Sequence, residues 1–138
     1  MGIVGVLVLA VVLSTPAAGG PATRPATAPA WELVGNLGRV KTVYVEPAHV
    51  KDKQLLASVV KEILDKSGRQ SPVEVNFFDD PVRTPRTLPF PPASRQHHRA
   101  KFNFNPANGL KKFVWVTPAD PNAPGGKPKH TEDTLAVD

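Results

Sequence analysis

The sequence predicts an α/β fold, with α+β as the variant: a small two-layer sandwich of three or four strands with helices mainly on one face. Three observations predict it. A β-branched segment, an amphipathic helical segment and a second apolar segment follow one another between Arg39 and Phe78. This order is typical of a right-handed βαβ unit with parallel strands. A loop with a short helix and a further strand would complete a single domain over residues 31–117.

The first strand and the helix are the clearest elements. RVKTVYVEP, Arg39–Pro47, is rich in β-branched residues and ends at a proline, as strands do. The segment that follows places apolar residues on one helical stripe: Leu55, Leu56, Val59, Val60, Ile63 and Leu64. The negative charge of Asp52 suits the N-terminus of this helix, where the helix dipole is positive, and the positive charge of Lys66 suits the C-terminus. Gly68 stands where a glycine would end the helix.

The remaining elements are less regular. PVEVNFF is a strand with an apolar face and a mixed face, and KKFVWV, Lys111–Val116, is a further strand whose direction the sequence leaves open. Between them, Ala93–Phe102 is a candidate short helix. FNFN, Phe102–Asn105, is either the last turn of that helix or a brief extended piece. Trp31–Leu37 is a candidate edge strand.

The ends of the chain have biased composition. Residues 1–18 carry the eleven-residue apolar run IVGVLVLAVVL and then small residues, the pattern of a signal peptide or, if uncleaved, an anchor. Residues 19–30 form a Pro/Ala/Thr-rich linker, and residues 118–138 a flexible tail. The expected location is the periplasm, the cell surface or the extracellular space. The chain has no cysteine, which excludes disulfides, thiolate metal sites and cysteine nucleophiles.

Asp79 and Asp80 end the second predicted strand, and two interpretations stand. Acids at the carboxyl end of a strand can bind Mg²⁺ or share acid–base chemistry. Alternatively they only terminate the strand, because Pro81 holds Asp80 extended and neighbouring extended residues point to opposite faces. The second interpretation is preferred.

His97 and His98 are the candidate base of an enzyme. Adjacent histidines point about 100° apart on a helix and to opposite faces on a strand, so the two rings do not share one metal ion. With four scattered histidines and no cysteine, the sequence predicts neither a metal nor a cofactor.

Residues 81–112 form a basic segment without a single acidic residue. Its seven cations leave a net charge of −2 for the rest of the chain, since the whole chain carries +5. Phenylalanines are interleaved with the cations, a combination that suits an anionic polymer. Five residues are the candidate anion-binding set: Arg83, Arg86, Arg95, Arg99 and Lys101. The plain alternative is a solvated surface balanced by acids elsewhere.

VNFFDD followed by FNFNPANGLKKFVWV resembles a group of small exported bacterial proteins. In that group a strand ends in FFDD, and an aromatic–asparagine repeat, a glycine turn and a closing strand follow. The resemblance spans residues 40–116. It implies a shared fold and export but no activity, and HHRAK and RTPR make this chain more basic than the group.

Two functions follow as hypotheses. The first is a non-enzymatic exported binding or structural module. Its basic segment would bind an anionic envelope polymer or another protein, and no specific nucleic acid is expected as a partner. The second is a metal-assisted hydrolase that uses Asp79 and Asp80 with His97 or His98.

Overall fold

The computed structural model describes residues 29–138, and the domain in this range is dominated by one six-stranded sheet. The predicted signal peptide and nearly all of the predicted linker lie outside the described residues. The strands are β1 (Trp31–Leu37), β2 (Val40–Val45), β3 (Val73–Phe78), β4 (His98–Asn105), β5 (Leu110–Thr117) and β6 (Lys129–Asp133). In the same range of residues they are accompanied by one α-helix, α1 (Lys53–Ser67), and one 3₁₀ helix (Pro92–His97).

The strands lie in the sheet in their order along the chain. Strands β2 and β3 are parallel and are joined through α1, so the strand–helix–strand unit is present. The other four pairings are antiparallel, which makes the sheet mixed. The direction that the sequence left open is therefore settled: β5 runs antiparallel to β4.

The sequence of α1 supplies both of its ends. The Asp52 side chain accepts hydrogen bonds from the backbone N–H groups of Gln54 and Leu55, at 3.0 and 3.2 Å, and so satisfies donors that a helix start leaves free. Gly68 ends the helix in the left-handed conformation, with φ of 78°, which glycine adopts without strain. The predicted helix is confirmed, with Asp52 at its start and Gly68 closing it; the hydrogen bonds to the Asp52 side chain add to the charge effect that the sequence indicated.

The main core lies between α1 and one face of the sheet, called here the helix face. Five residues of the predicted stripe are buried: Leu56, Val59, Val60, Ile63 and Leu64. They pack with alternate residues of the central strands: Val43, Val45, Val73, Val75, Phe77, Ala100, Phe102, Phe104 and Phe113. The period of two in the strands and of 3.6 in the helix directs both sets to the same layer.

The predicted sandwich with helices mainly on one face is wrong. Helices make up only 19% of the described residues and strands 36%, so the sheet dominates. The opposite face, called here the loop face, is covered by residues 80–96, the covering loop. Thr84 and Pro85 of this loop are buried, and Thr42 Oγ1 donates a hydrogen bond to Pro85 O at 2.5 Å. Both faces of β3 are buried as a result, including Asn76 and Phe78.

Gly35 lets the covering loop approach the sheet. A Cβ atom added at Gly35 would lie 2.8 Å from Pro85 O, closer than real Cβ contacts come. Glycine in a strand often marks such a close approach of another backbone.

The predicted short helix over Ala93–Phe102 is replaced by the 3₁₀ helix and by β4. Ala100, Phe102 and Phe104 alternate with half-buried polar residues in β4. Of the two interpretations of FNFN, the extended one is therefore correct. The alternation of two favours a strand, and pairing with β3 and β5 on both sides stabilises it.

Residues 118–138, expected to form a flexible tail, continue the fold. Strand β6 pairs with β5, and Leu135 and Val137 are buried in the main core. Asp133 accepts hydrogen bonds from the Trp115 indole at 2.8 Å and from Lys53 at 3.0 Å. These contacts lower the pKa of Asp133 to about 2, and the hydrogen bond from Trp115 has the largest effect.

Candidate functional site

The candidate acids and one candidate histidine meet where β3 ends. Asp79 Oδ1 lies 3.0 Å from His97 Nδ1, and Asp79 Oδ2 accepts a hydrogen bond from Arg99 Nε at 2.5 Å. The other ring nitrogen of His97 lies 3.9 Å from Asp80 Oδ2. The sequence suggested that the two carboxylates point to opposite faces, yet the His97 imidazole contacts both of them, one through each ring nitrogen.

A bulge in β4 brings Arg99 into this cluster. Phe77 pairs with Ala100 whereas Phe78 pairs with His98, so Arg99 is the extra residue between them. A bulge changes the direction of the side chain that it carries. Arg99 therefore reaches Asp79 at the end of the neighbouring strand, a contact between residues twenty positions apart that spacing in the sequence does not reveal.

The cluster closes the covering loop at its base. The backbone N–H of Asp79 donates to the carbonyl of His97 at 3.1 Å, directly beside the contact between their side chains. We call the four residues Asp79, Asp80, His97 and Arg99 the clasp. Hydrogen bonds in which one partner is ionised are about twice as strong as neutral ones. The Asp79 side chain is only 14% exposed. The clasp therefore fixes the two ends of the loop to each other.

Asp80 organises the first turn of the loop. Its Oδ1 accepts hydrogen bonds from the backbone N–H groups of Val82 and Arg83, at 2.8 and 3.1 Å. Its carbonyl accepts from the backbone N–H and the hydroxyl of Thr84. This is the turn-forming use of aspartate. The preferred sequence interpretation of Asp80 agrees with this geometry.

His98 is placed apart from the acids, on the loop face. Its ring stacks on Phe78 with a centroid distance of 4.9 Å and meets the edge of Phe90 at 6.2 Å. Its Nε2 is buried and, among the described residues, has no hydrogen-bond partner. Burial lowers the pKa of His98 to about 4, and the nearby positive charge of Lys101 and the His130 ring add to the effect. His98 is a neutral packing residue at ordinary pH.

The positions of the acids and histidines give little support to a metal site. Within residues 29–138 no group of three or more histidine and acidic side chains is arranged to hold a metal ion. An open depression of about 470 Å³ lies at the carboxyl ends of β2 and β3, lined by Tyr44, Glu46, Asp79 and Asp80 among others. Its position matches the usual ligand crevice of parallel strands.

The five candidate anion-binding residues separate into two groups. Arg99 is paired with Asp79, and Lys101 lies 3.6 Å from Glu74. Arg83, Arg86 and Arg95 are exposed on the covering loop, and over residues 29–138 none of the three takes part in an ion pair or a side-chain hydrogen bond. The sequence could not make this distinction, because the neutralising acids lie on neighbouring strands.

Comparisons with protein-family models, curated proteins and solved structures found no match. In the part of the chain from residue 29 onward, no helix is long and apolar enough to cross a membrane.

Proposed function

We propose that this protein is an exported, non-enzymatic binding module that recognises a polyanion through Arg83, Arg86 and Arg95. The observation that carries the proposal is the contrast within the basic segment. Arg99, Lys101 and Lys112 are matched by Asp79, Glu74 and Glu132. The three arginines of the covering loop have no such partner among the described residues.

The electrostatics of the loop favour an anionic partner. Apart from Asp80, whose oxygens serve its first turn, the covering loop contains no acidic residue. Its arginines therefore present their positive charge to solvent. Guanidinium groups bind sulfate, phosphate and carboxylate through paired N–H donors, so repeating anions along a polymer are the chemistry that fits.

The anchoring of the loop also supports binding. The clasp ties its ends, Thr42 bonds to the carbonyl of Pro85, and Phe90 packs on Phe78 with a centroid distance of 5.6 Å. A loop that is already ordered loses less conformational entropy when a ligand binds. Val82 and Leu88, 78% and 51% exposed, add apolar surface beside the arginines.

Binding to heparin as a model polyanion, measured at several salt concentrations, tests the proposal. We expect the triple variant R83Q/R86Q/R95Q to weaken binding. The plot of log K against log salt should also become shallower by about three units of slope, roughly one for each lost contact. The matched control K61Q/K66Q/K127Q removes the same charge from exposed positions elsewhere and should keep the slope. Equal losses in both variants would show that only net charge matters and would refute a site on the loop.

Metal-assisted hydrolysis is the second candidate, and one observation favours it: His97 contacts both Asp79 and Asp80. The Asp79 oxygens are already used by His97 and Arg99, which leaves little capacity for an ion. Thermal unfolding with Mg²⁺, Mn²⁺, Zn²⁺ or Ca²⁺ tests this function. An increase in Tm that D80N abolishes would support it, and an unchanged Tm with every ion would remove it.

A further inference from the structure

A second cavity lies on the helix face, and its lining contains none of the three exposed arginines of the covering loop. Its volume is about 400 Å³, and Val50, Lys51, Arg99, Trp115 and Pro118 are among its lining residues. We call it the Trp115 pocket. The turn before α1 forms one side, and the adjoining ends of β4 and β5 form the other.

Two cations of this pocket have donors to spare. Arg99 uses Nε for Asp79, and within residues 29–138 its two terminal nitrogens hydrogen-bond to no protein atom. A guanidinium has five N–H donors, so four of them remain for a ligand. The bond to Asp79 fixes the plane of the group. Lys51 is exposed and, in the described part of the chain, belongs to no ion pair.

Apart from Thr117, the rest of the lining is apolar, and the orientation of Trp115 is fixed. The indole N–H of Trp115 donates to Asp133 at 2.8 Å, and the ring meets the edge of Phe113 at a centroid distance of 4.8 Å, so its orientation is fixed. Val50 is buried and belongs to the main core. A preformed apolar cavity with a few convergent polar groups is the usual form of a small-molecule site.

From this geometry we infer that the Trp115 pocket binds a small organic acid, with its carboxylate on Arg99 and Lys51 and its flat apolar body against Trp115. A planar carboxylate matches the fork of a guanidinium, and a volume of about 400 Å³ accommodates a molecule with one or two rings. The N-terminus of α1 is not the source of attraction, because the Asp52 carboxylate already accepts from the N–H groups of Gln54 and Leu55 and places a negative charge there.

Titration with naphthoate, followed by NMR of the indole N–H signals, tests the inference, and W31F assigns the two tryptophans. We expect a saturable shift of the Trp115 signal. Naphthamide, which lacks the charge, should bind at least about tenfold more weakly, as should K51Q and R99K. K127Q, which removes one charge outside the pocket, and R83Q/R86Q/R95Q should bind naphthoate normally, which separates this site from the polyanion surface.

Three results would overturn the inference: no saturable shift at millimolar naphthoate, equal binding of naphthamide, or unchanged binding in K51Q and R99K. Inorganic phosphate serves as the simple-anion probe. If it shifts the Trp115 signal at the same concentration as naphthoate, the aromatic wall contributes nothing and an organic acid is not the ligand class. Because Lys51 is exposed and pairs with no residue in the range 29–138, the result for K51Q does not depend on the clasp.

Discussion

The helix face and the loop face of the same sheet are covered in different ways. On the helix face, α1 contributes a continuous apolar stripe and the contacts are hydrocarbon against hydrocarbon. On the loop face, an irregular proline-rich segment is held by the clasp and by the hydrogen bond from Thr42. The ring of Phe90 also packs against the rings of Phe78 and His98. A sheet face can therefore be buried without a second regular element when polar contacts fix the ends of the segment that covers it.

A truncation on the helix face should destabilise the protein most. Leu56 is completely buried between α1 and the sheet, so L56A should lower the free energy of unfolding by about 2–5 kcal/mol through lost burial and the cavity left behind. Urea unfolding measures the loss, which should be the same at pH 5 and pH 7. A loss that depends on pH would mean that the two faces are not independent.

On the loop face, stability should depend on pH through His98. Its folded pKa of about 4 lies below its ordinary value of 6.5, so between these values the unfolded chain binds the proton and the folded chain does not. The free energy of unfolding therefore falls as pH falls from 6.5 to 4, by roughly 3 kcal/mol in total. Urea unfolding at a series of pH values should show this decrease.

H98F should abolish most of that decrease, because phenylalanine keeps the contact with Phe78 and carries no proton. H49Q is the control: His49 is exposed, and its replacement should leave the decrease in place. A pH dependence that persists in H98F would contradict the assignment.

The clasp should show an intermediate effect. D79N removes the charge that His97 and Arg99 share, and we expect a loss of about 1–3 kcal/mol together with faster cleavage by trypsin after Arg83 and Arg86. E62Q, which removes an acid from the exposed surface of α1, should change neither. Equal rates of cleavage in D79N and wild type would show that the clasp does not hold the loop.

The smallest effect should come from the outer surface of the loop. Val82 is 78% exposed, so V82A should change the free energy of unfolding by less than about 0.5 kcal/mol. A larger loss, measured by urea unfolding, would mean that this residue packs against the protein.

The same contrast explains how much the sequence could predict. The helix could be located because its signals are local: the apolar stripe of α1 repeats with the helical period, and Asp52 and Gly68 mark its two ends. Strands β2 and β3 followed from the same kind of pattern. Strand β6 could not be predicted, because KHTED is polar throughout and pairs only because β5 offers an edge.

The clasp was predictable only in part. Asp79 and His97 could each be selected as candidates, but their contact depends on how a loop of irregular conformation closes. The position of Arg99 depends on a bulge. The burial of His98 could not be inferred, because HHRAK is a basic, polar stretch and its cover, Phe90, comes from the loop.

The most direct test is whether the covering loop lies on the sheet at all. Nuclear Overhauser effects between the ring protons of Phe90 and those of Phe78 and His98 would measure it, since the ring centroids lie 5.6 and 6.2 Å apart. At pH 7 we predict clear effects to both rings, with chemical shifts of Phe90 displaced from random-coil values. Random-coil shifts for Phe90 and no effect to either ring would contradict the account.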